Sequence, residues 1–198
     1  MLNTLKPFIL AFIPVFVAVD AIGNIPLFVS LVQGASKSQK RKIIVQSVTT
    51  ATGVAIAFMF VGRFILSLLG ITIQDFQIAG GALLFVIAAK LLLPSAQKGV
   101  LGSGDKEVGV FPLGTPLITG PAVLTTTLIM LDSYGVMATF ISLVLNMLIV
   151  WLSLSKADLI MKFMGPSGAR AFAKIMYILL AAIGAMMIRR GIMGVILK

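Results

Sequence analysis

Six stretches of the sequence stay apolar for about twenty residues or more, roughly 8–32, 43–69, 74–93, 110–131, 136–155 and 171–188. A bilayer core is crossed by a helix of about 17–25 such residues. The expected fold is therefore an all-α membrane protein with six transmembrane helices. The runs are continuous rather than short and alternating, which argues against an outer-membrane barrel. In a chain of 198 residues they leave no room for a soluble domain. The composition is 59% hydrophobic and 11% charged, against about half and a quarter in a soluble domain.

A net charge of +10 invites a nucleic-acid reading. The basic residues, however, lie in the connections between the apolar runs and form no basic face interleaved with aromatics, so no nucleic-acid partner is expected. The sequence has no Cys and no His, which excludes disulfides, thiol chemistry and zinc–thiolate sites and removes the commonest metal ligand and proton shuttle. No G-x-S-x-G, P-loop, metal-ligand cluster or carboxylate pair within one span is present, so neither an enzyme nor a cofactor is expected. The start, "MLNTLKPFILAFIPVFVAVD", resembles a signal peptide but lacks a small-x-small cleavage site, and is expected to be an uncleaved first span.

With six spans, connections 1–2, 3–4 and 5–6 share one side. They carry Lys37, Lys40, Arg41 and Lys42, then Lys90, Lys98 and Lys106, then Lys156, Lys162, Arg170 and Lys174. The other side has Lys6, Arg63, Arg189, Arg190 and Lys198. The positive-inside rule makes the richer side cytoplasmic and puts both termini outside, with Arg63 and Lys90 expected to snorkel.

The segment 94–109 is rich in Gly and Ser and is expected to be a flexible cytoplasmic linker between a three-helix repeat at 1–93 and a second at 110–198. An odd number of spans per half inverts the second half. "FQIAGGALLFVIAA" from Phe76 aligns with "FAKIMYILLAAIGA" from Phe172. The first span of each half carries a mid-span cluster, "GNIP" at 23–26 and "TGP" at 119–121, about 95 residues apart. Matched interruptions of this kind point to a binding site.

Proline removes a helical donor, and in hydrocarbon the freed carbonyls must find other partners. Each cluster is expected to stop a helix and restart it, giving halves near 8–20 and 25–32, and near 110–118 and 121–131. Asn24 and Thr119 are suitable N-caps, and Pro26 and Pro121 suit a first turn. Restarted halves aim unpaired N–H groups at the midplane, and stopped halves aim carbonyls. Asp20 adds the one carboxylate well inside a span, and its burial would raise its pKa enough to carry a proton. Opposite poles a few Å apart complement a zwitterion, an amino acid. The candidate binding residues are Asp20, Gly23, Asn24, Pro26, Thr115, Thr119, Gly120 and Pro121, with Asp20 also the coupling-ion site. Thr49, Thr50, Thr52 and Thr125 to Thr127 are expected to bond helix backbone rather than ligand. Asn146 suits interhelical contact or site lining equally. "AGGA" at 79–82 suits close helix packing, and 156–168 an interfacial segment.

On "DAIGNIPLFVSL", "IAGGALLF" and "FPLGTPLITGPAVLT" the chain resembles the MarC/SnatA family of prokaryotic inner-membrane proteins over essentially its whole length. Members often have Asp-Pro where this chain has Asp20-Ala21, and Ala-Gly-Pro where it has Thr119-Gly120-Pro121. By matching motif positions, Asp20, Gly23, Asn24, Pro26, Gly120 and Pro121 carry over, with Pro112 and Pro116 in support. The resemblance implies a polytopic inner-membrane transporter with small neutral amino acids such as glycine and alanine as substrate class. Coupling would be to protons, or else sodium. The rivals are an exporter of metabolites or drugs on the same scaffold and a structural or regulatory membrane subunit without transport. A channel ranks lower, since nothing resembles a selectivity filter.

Overall fold

The computed structural model describes residues 2–32, 34–93 and 109–197. The described residues are helical with no strand: α1 Leu2–Val19, α2 Asn24–Leu31, α3 Lys37–Leu68, α4 Ile73–Leu92, a wide-turned π segment Gly109–Ile118, α5 Pro121–Ser155 and α6 Ala157–Ile196. Five helical stretches are long and apolar enough to cross a membrane, Leu5–Leu31, Lys37–Leu68, Ile73–Leu92, Pro121–Ser155 and Ala171–Ile196. Nearly all of the expected linker, 94–108, lies outside the described residues, and Gly109 opens the π segment.

The helix limits follow local chemistry. Ser36 accepts from the Gln39 amide at 3.3 Å and the Gln39 side chain accepts from the Ser36 amide at 2.8 Å, a reciprocal cap that starts α3. Thr72 and Asp75 do the same for α4. Within α5, Gly135 takes φ 78°, a left-handed value that turns the chain and divides α5 into 121–134 and 136–155. Gly165, at φ 71°, divides α6 in the same way into a short leading piece and a long apolar one. The division at Gly135 falls where the sequence pattern separates the fourth and fifth apolar runs.

The two halves of the chain exchange partners. α1 packs on the second part of α5, where Ser142 Oγ donates to Phe8 O at 3.3 Å and Asn146 Nδ2 to Phe12 O at 3.4 Å. Reciprocally, α3 packs on the π segment and the first part of α5. There Thr119 Oγ1 donates to Ala51 O at 3.0 Å, and Arg63 forms an ion pair with Asp132 instead of snorkelling alone. The buried positions Ile44, Ser47, Ala51, Ala55 and Met59 of α3 recur as Thr139, Ser142, Asn146, Val150 and Leu154, at the spacing that separates Pro26 from Pro121. α4 pairs with α6 through glycine: a Cβ on Gly81 would lie 2.6 Å from Gly184 O, and one on Gly184 2.6 Å from Gly81 O. This pairing is displaced by about two helical turns from the alignment of Phe76 with Phe172. Close packing is thus the role of the Gly80–Gly81 pair.

Small polar side chains share the interior with an apolar core, while many large apolar side chains are exposed. Ser47, Thr125, Thr127, Thr139 and Ser142 are buried and each donates to the carbonyl four residues earlier, as expected of hydroxyls in membrane helices. Thr52 does so as well. Ile13, Val17, Phe60, Phe64 and Met137 are exposed and face the surroundings of the bundle.

Candidate functional site

At the first interruption α1 ends at Val19, and Asp20 takes φ 46°, a left-handed conformation that Asp tolerates better than most residues. This turn brings its Oδ1 to 3.0 Å from the Gly23 amide, which donates to it. Asp20 therefore caps α2 from outside, and the residue at the N-cap is Gly23 rather than the expected Asn24. A Cβ at 23 would lie 2.1 Å from Asp20 Oδ2, so a side chain there fits only if the Asp20 carboxylate moves. Asn24, 3% exposed, donates through Nδ2 to Val19 O at 2.9 Å and Asp20 O at 3.1 Å. The Asn24 amide donates to Asp20 O and the Ile25 amide to Ile22 O, while Pro26 has no N–H. The unpaired amides expected at 24–26 are absent, since those of Asn24 and Ile25 are bonded, and of the free carbonyls expected at the end of α1 those of Val19 and Asp20 are taken by Asn24.

The second interruption is built differently. Thr119 is not an N-cap, because its hydroxyl turns away to Ala51 O and is fully buried. The N-cap is Gly120, with no side-chain hydrogen bond, and Pro121 occupies the first turn. The Thr119 amide is taken by Gly114 O and the Leu124 amide by Gly120 O. The amides of Ala122 and Val123 have no acceptor among the described residues, leaving the positive end of α5 open.

The two interruptions meet in one cavity of about 30 Å³, lined by Asp20, Gly23 and Asn24 from the first and by Pro116, Gly120, Ala122 and Val123 from the second. α4 contributes Leu84, and α6 contributes Met176, Leu180 and Ile183. Asp20 itself is exposed rather than buried, and it is among the lining residues. Residues that carry a negative side chain and unpaired N–H groups thus line one small, otherwise apolar space, which holds about two waters.

Of the residues expected from sequence, Asp20, Gly23, Asn24 and Gly120 come together, and Pro26, Thr115, Thr119 and Pro121 do not line the cavity. Pro26 is buried within α2, and Pro121 packs on α4, where a Cβ on Gly80 would lie 2.0 Å from its Cγ. Thr115 sits in extended backbone, φ −136° and ψ 128°, inside the π segment. Ala122 and Val123 were missed, although a proline in the first turn already signals free amides just beyond it. Nothing in the sequence marks Met176 or Ile183 beyond apolarity. Asn146 proves to be an interhelical contact to α1, and its Oδ1 is buried without a partner among the described residues. No cluster of metal-ligating side chains occurs among the described residues.

Comparison with known proteins adds the lineage. A UPF0056 membrane protein of Methanocaldococcus jannaschii, MJ0972, is 34% identical over 98% of this chain and 90% of its own length. The UPF0056 inner membrane protein YhgN of Escherichia coli is 30% identical over 87% of this chain and 89% of its own. No solved structure matches. Residues 5–196 match the description of MarC family integral membrane proteins, a range that takes in both interruptions and the cavity between them. A multi-pass helical bundle with relatives of near-equal length on that pattern belongs to the MarC family of integral membrane proteins.

Proposed function

We propose that this protein is a secondary transporter of small neutral amino acids, of the glycine and alanine class, coupled to protons or else to sodium. The observation that carries the reading is the shared cavity of Asp20 and the start of α5. The substrate carboxylate would meet the Ala122 and Val123 amides, and its ammonium the Asp20 carboxylate. The first interruption would contribute its carboxylate and not the start of α2, because the Gly23, Asn24 and Ile25 amides are already bonded. A volume of about 30 Å³ favours a compact zwitterion over a bulky drug, and binding even glycine requires the walls to part.

The scaffold for that movement is an inverted pair of three-span repeats, with 8–32 and 110–131 as broken spans and 136–155 as the fifth span. The exchange of partners between halves, the recurrence of the α3 face on α5 and the reciprocal glycine contact all support a pseudo-two-fold axis in the membrane plane. Rocking of one repeat on the other would open the cavity to either side in turn. The basic-residue count supports an orientation with both termini outside.

Uptake of labelled glycine or alanine into proteoliposomes, with and without an imposed proton or sodium gradient, tests the proposal. Gradient-stimulated uptake is expected, and Asp20→Asn should abolish it or its pH dependence while the protein still folds. Full, pH-independent uptake by Asp20→Asn would remove the carboxylate from the mechanism. The lack of any uptake or ligand-induced stabilisation in the wild type would favour a non-transporting subunit.

A further inference from the structure

The leading piece of α6, before the turn at Gly165, is too short to cross a bilayer, and its faces divide into three. Ala157 is fully buried, with Ile160 and Met161 beside it against the core. Leu159 and Phe163, one turn apart, share an outward edge and are 65% and 95% exposed. Asp158 and Lys162, also one turn apart, form the third edge, and Lys156 precedes the helix; all three are exposed. A helix with one edge packed, one apolar and open, and one charged fits the boundary between acyl chains and headgroups.

The charge around it is one-sided. Lys40 Nζ lies 2.8 Å from Asp158 Oδ1, which brings the start of α3 to this end of the bundle and neutralises Asp158. Lys37, Arg41 and Lys42 on α3, with Lys156 and Lys162, are exposed at the same end. Five exposed cations beside a wholly exposed phenylalanine suit an anionic lipid, whose phosphate and acyl chain take the two parts separately.

We propose that residues 156–164 form a binding site for anionic phospholipid in the leaflet at the Lys40–Asp158 end, with Leu159 and Phe163 among the acyl chains and Lys156 and Lys162 at the phosphate. The site is separate from the cavity, and its occupancy does not depend on what the cavity transports. Trp151 is the single tryptophan and is partly exposed on α5, which supplies a reporter and a control.

The full chain carrying Phe163→Trp and Trp151→Phe is reconstituted in phosphatidylcholine vesicles. Brominated-chain lipids with phosphatidylglycerol or phosphatidylcholine headgroups are then titrated in as quenchers. Tryptophan at 163 should be quenched by both, and by the phosphatidylglycerol form at several-fold lower mole fraction. Lys162→Gln should weaken that preference about fivefold. Trp151 in the otherwise unaltered chain should respond equally to both headgroups. Unquenched fluorescence at 163 would place the side chain in water and overturn the proposal. Equal quenching by the two lipids would reduce the site to ordinary annular contact. A headgroup preference unchanged in a Lys156→Gln, Lys162→Gln chain would remove the lysines from it.

Discussion

Asp20 lines the cavity and its carboxylate accepts from the Gly23 amide, so any cation that draws on its charge competes with the cap of α2. Gly23 has ordinary helical backbone, φ −63°, and alanine there meets no backbone objection, only Asp20 Oδ2 at 2.1 Å. Gly23→Ala should therefore displace the carboxylate alone. Uptake is expected to fall sharply, with a stability loss no larger than that of one N-cap, about 0.5–2 kcal/mol, measured by thermal unfolding in detergent. Asn24 makes the opposite prediction. Its amide nitrogen serves two carbonyls in a buried setting, and Asn24→Ala should cost about 1–3 kcal/mol. Asn24→Asp should be at least as damaging, because a carboxylate would face the Val19 and Asp20 oxygens with no donor. If Asn24→Asp were the better tolerated of the two in the same unfolding assay, the stitch between α1 and α2 would not be what Asn24 provides.

At the scale of elements, the interruptions at 20–23 and 119–120 were legible because proline and glycine act through backbone sterics, which need no tertiary context. What lay beyond sequence was how each break is satisfied. Whether Asn24 caps its own helix or reaches back to Val19 O depends on the left-handed turn at Asp20, and whether Thr119 caps α5 depends on Ala51 O from another helix. The glycines of α4 follow the same division, since "AGGA" announces a close approach and says nothing of the partner. That partner is α6 at Gly184, with added Cβ atoms 2.6 Å from the facing carbonyl oxygens. Gly81→Ala and Gly184→Ala should each destabilise by about 1–3 kcal/mol, since backbone cannot yield as a side-chain tip can. The two methyls contest one gap, so the double variant should cost less than the sum, a coupling that a double-mutant cycle in denaturant would read directly. Strict additivity would mean that the two glycines do not face each other.

For the whole molecule, the two ion pairs offer a test of the proposed six-span arrangement. Lys40 and Arg63 lie towards opposite ends of α3, and their partners are Asp158 at the start of α6 and Asp132 just before the Gly135 turn of α5. The proposed alternating spans would put the first pair on one membrane face and the second on the other. Five long apolar stretches counted by length alone would instead merge 121–155 into one crossing and carry Asp132 into the bilayer. The turn at Gly135 is where these two topologies part: in the proposed one, residues 121–134 complete a span begun by the π segment and 136–155 return. The chain has no cysteine, so single cysteines report sidedness without a background. In intact cells, cysteines replacing Arg63 and Asp132 should react with a membrane-impermeant maleimide, and those replacing Lys40 and Asp158 only after permeabilisation. Each pair, as a double cysteine, should also cross-link within itself through a short bis-maleimide and not across pairs. Labelling of positions 63 and 158 from the same side would end the proposed six-span arrangement, and with it the inverted repeat on which the proposed alternating access depends.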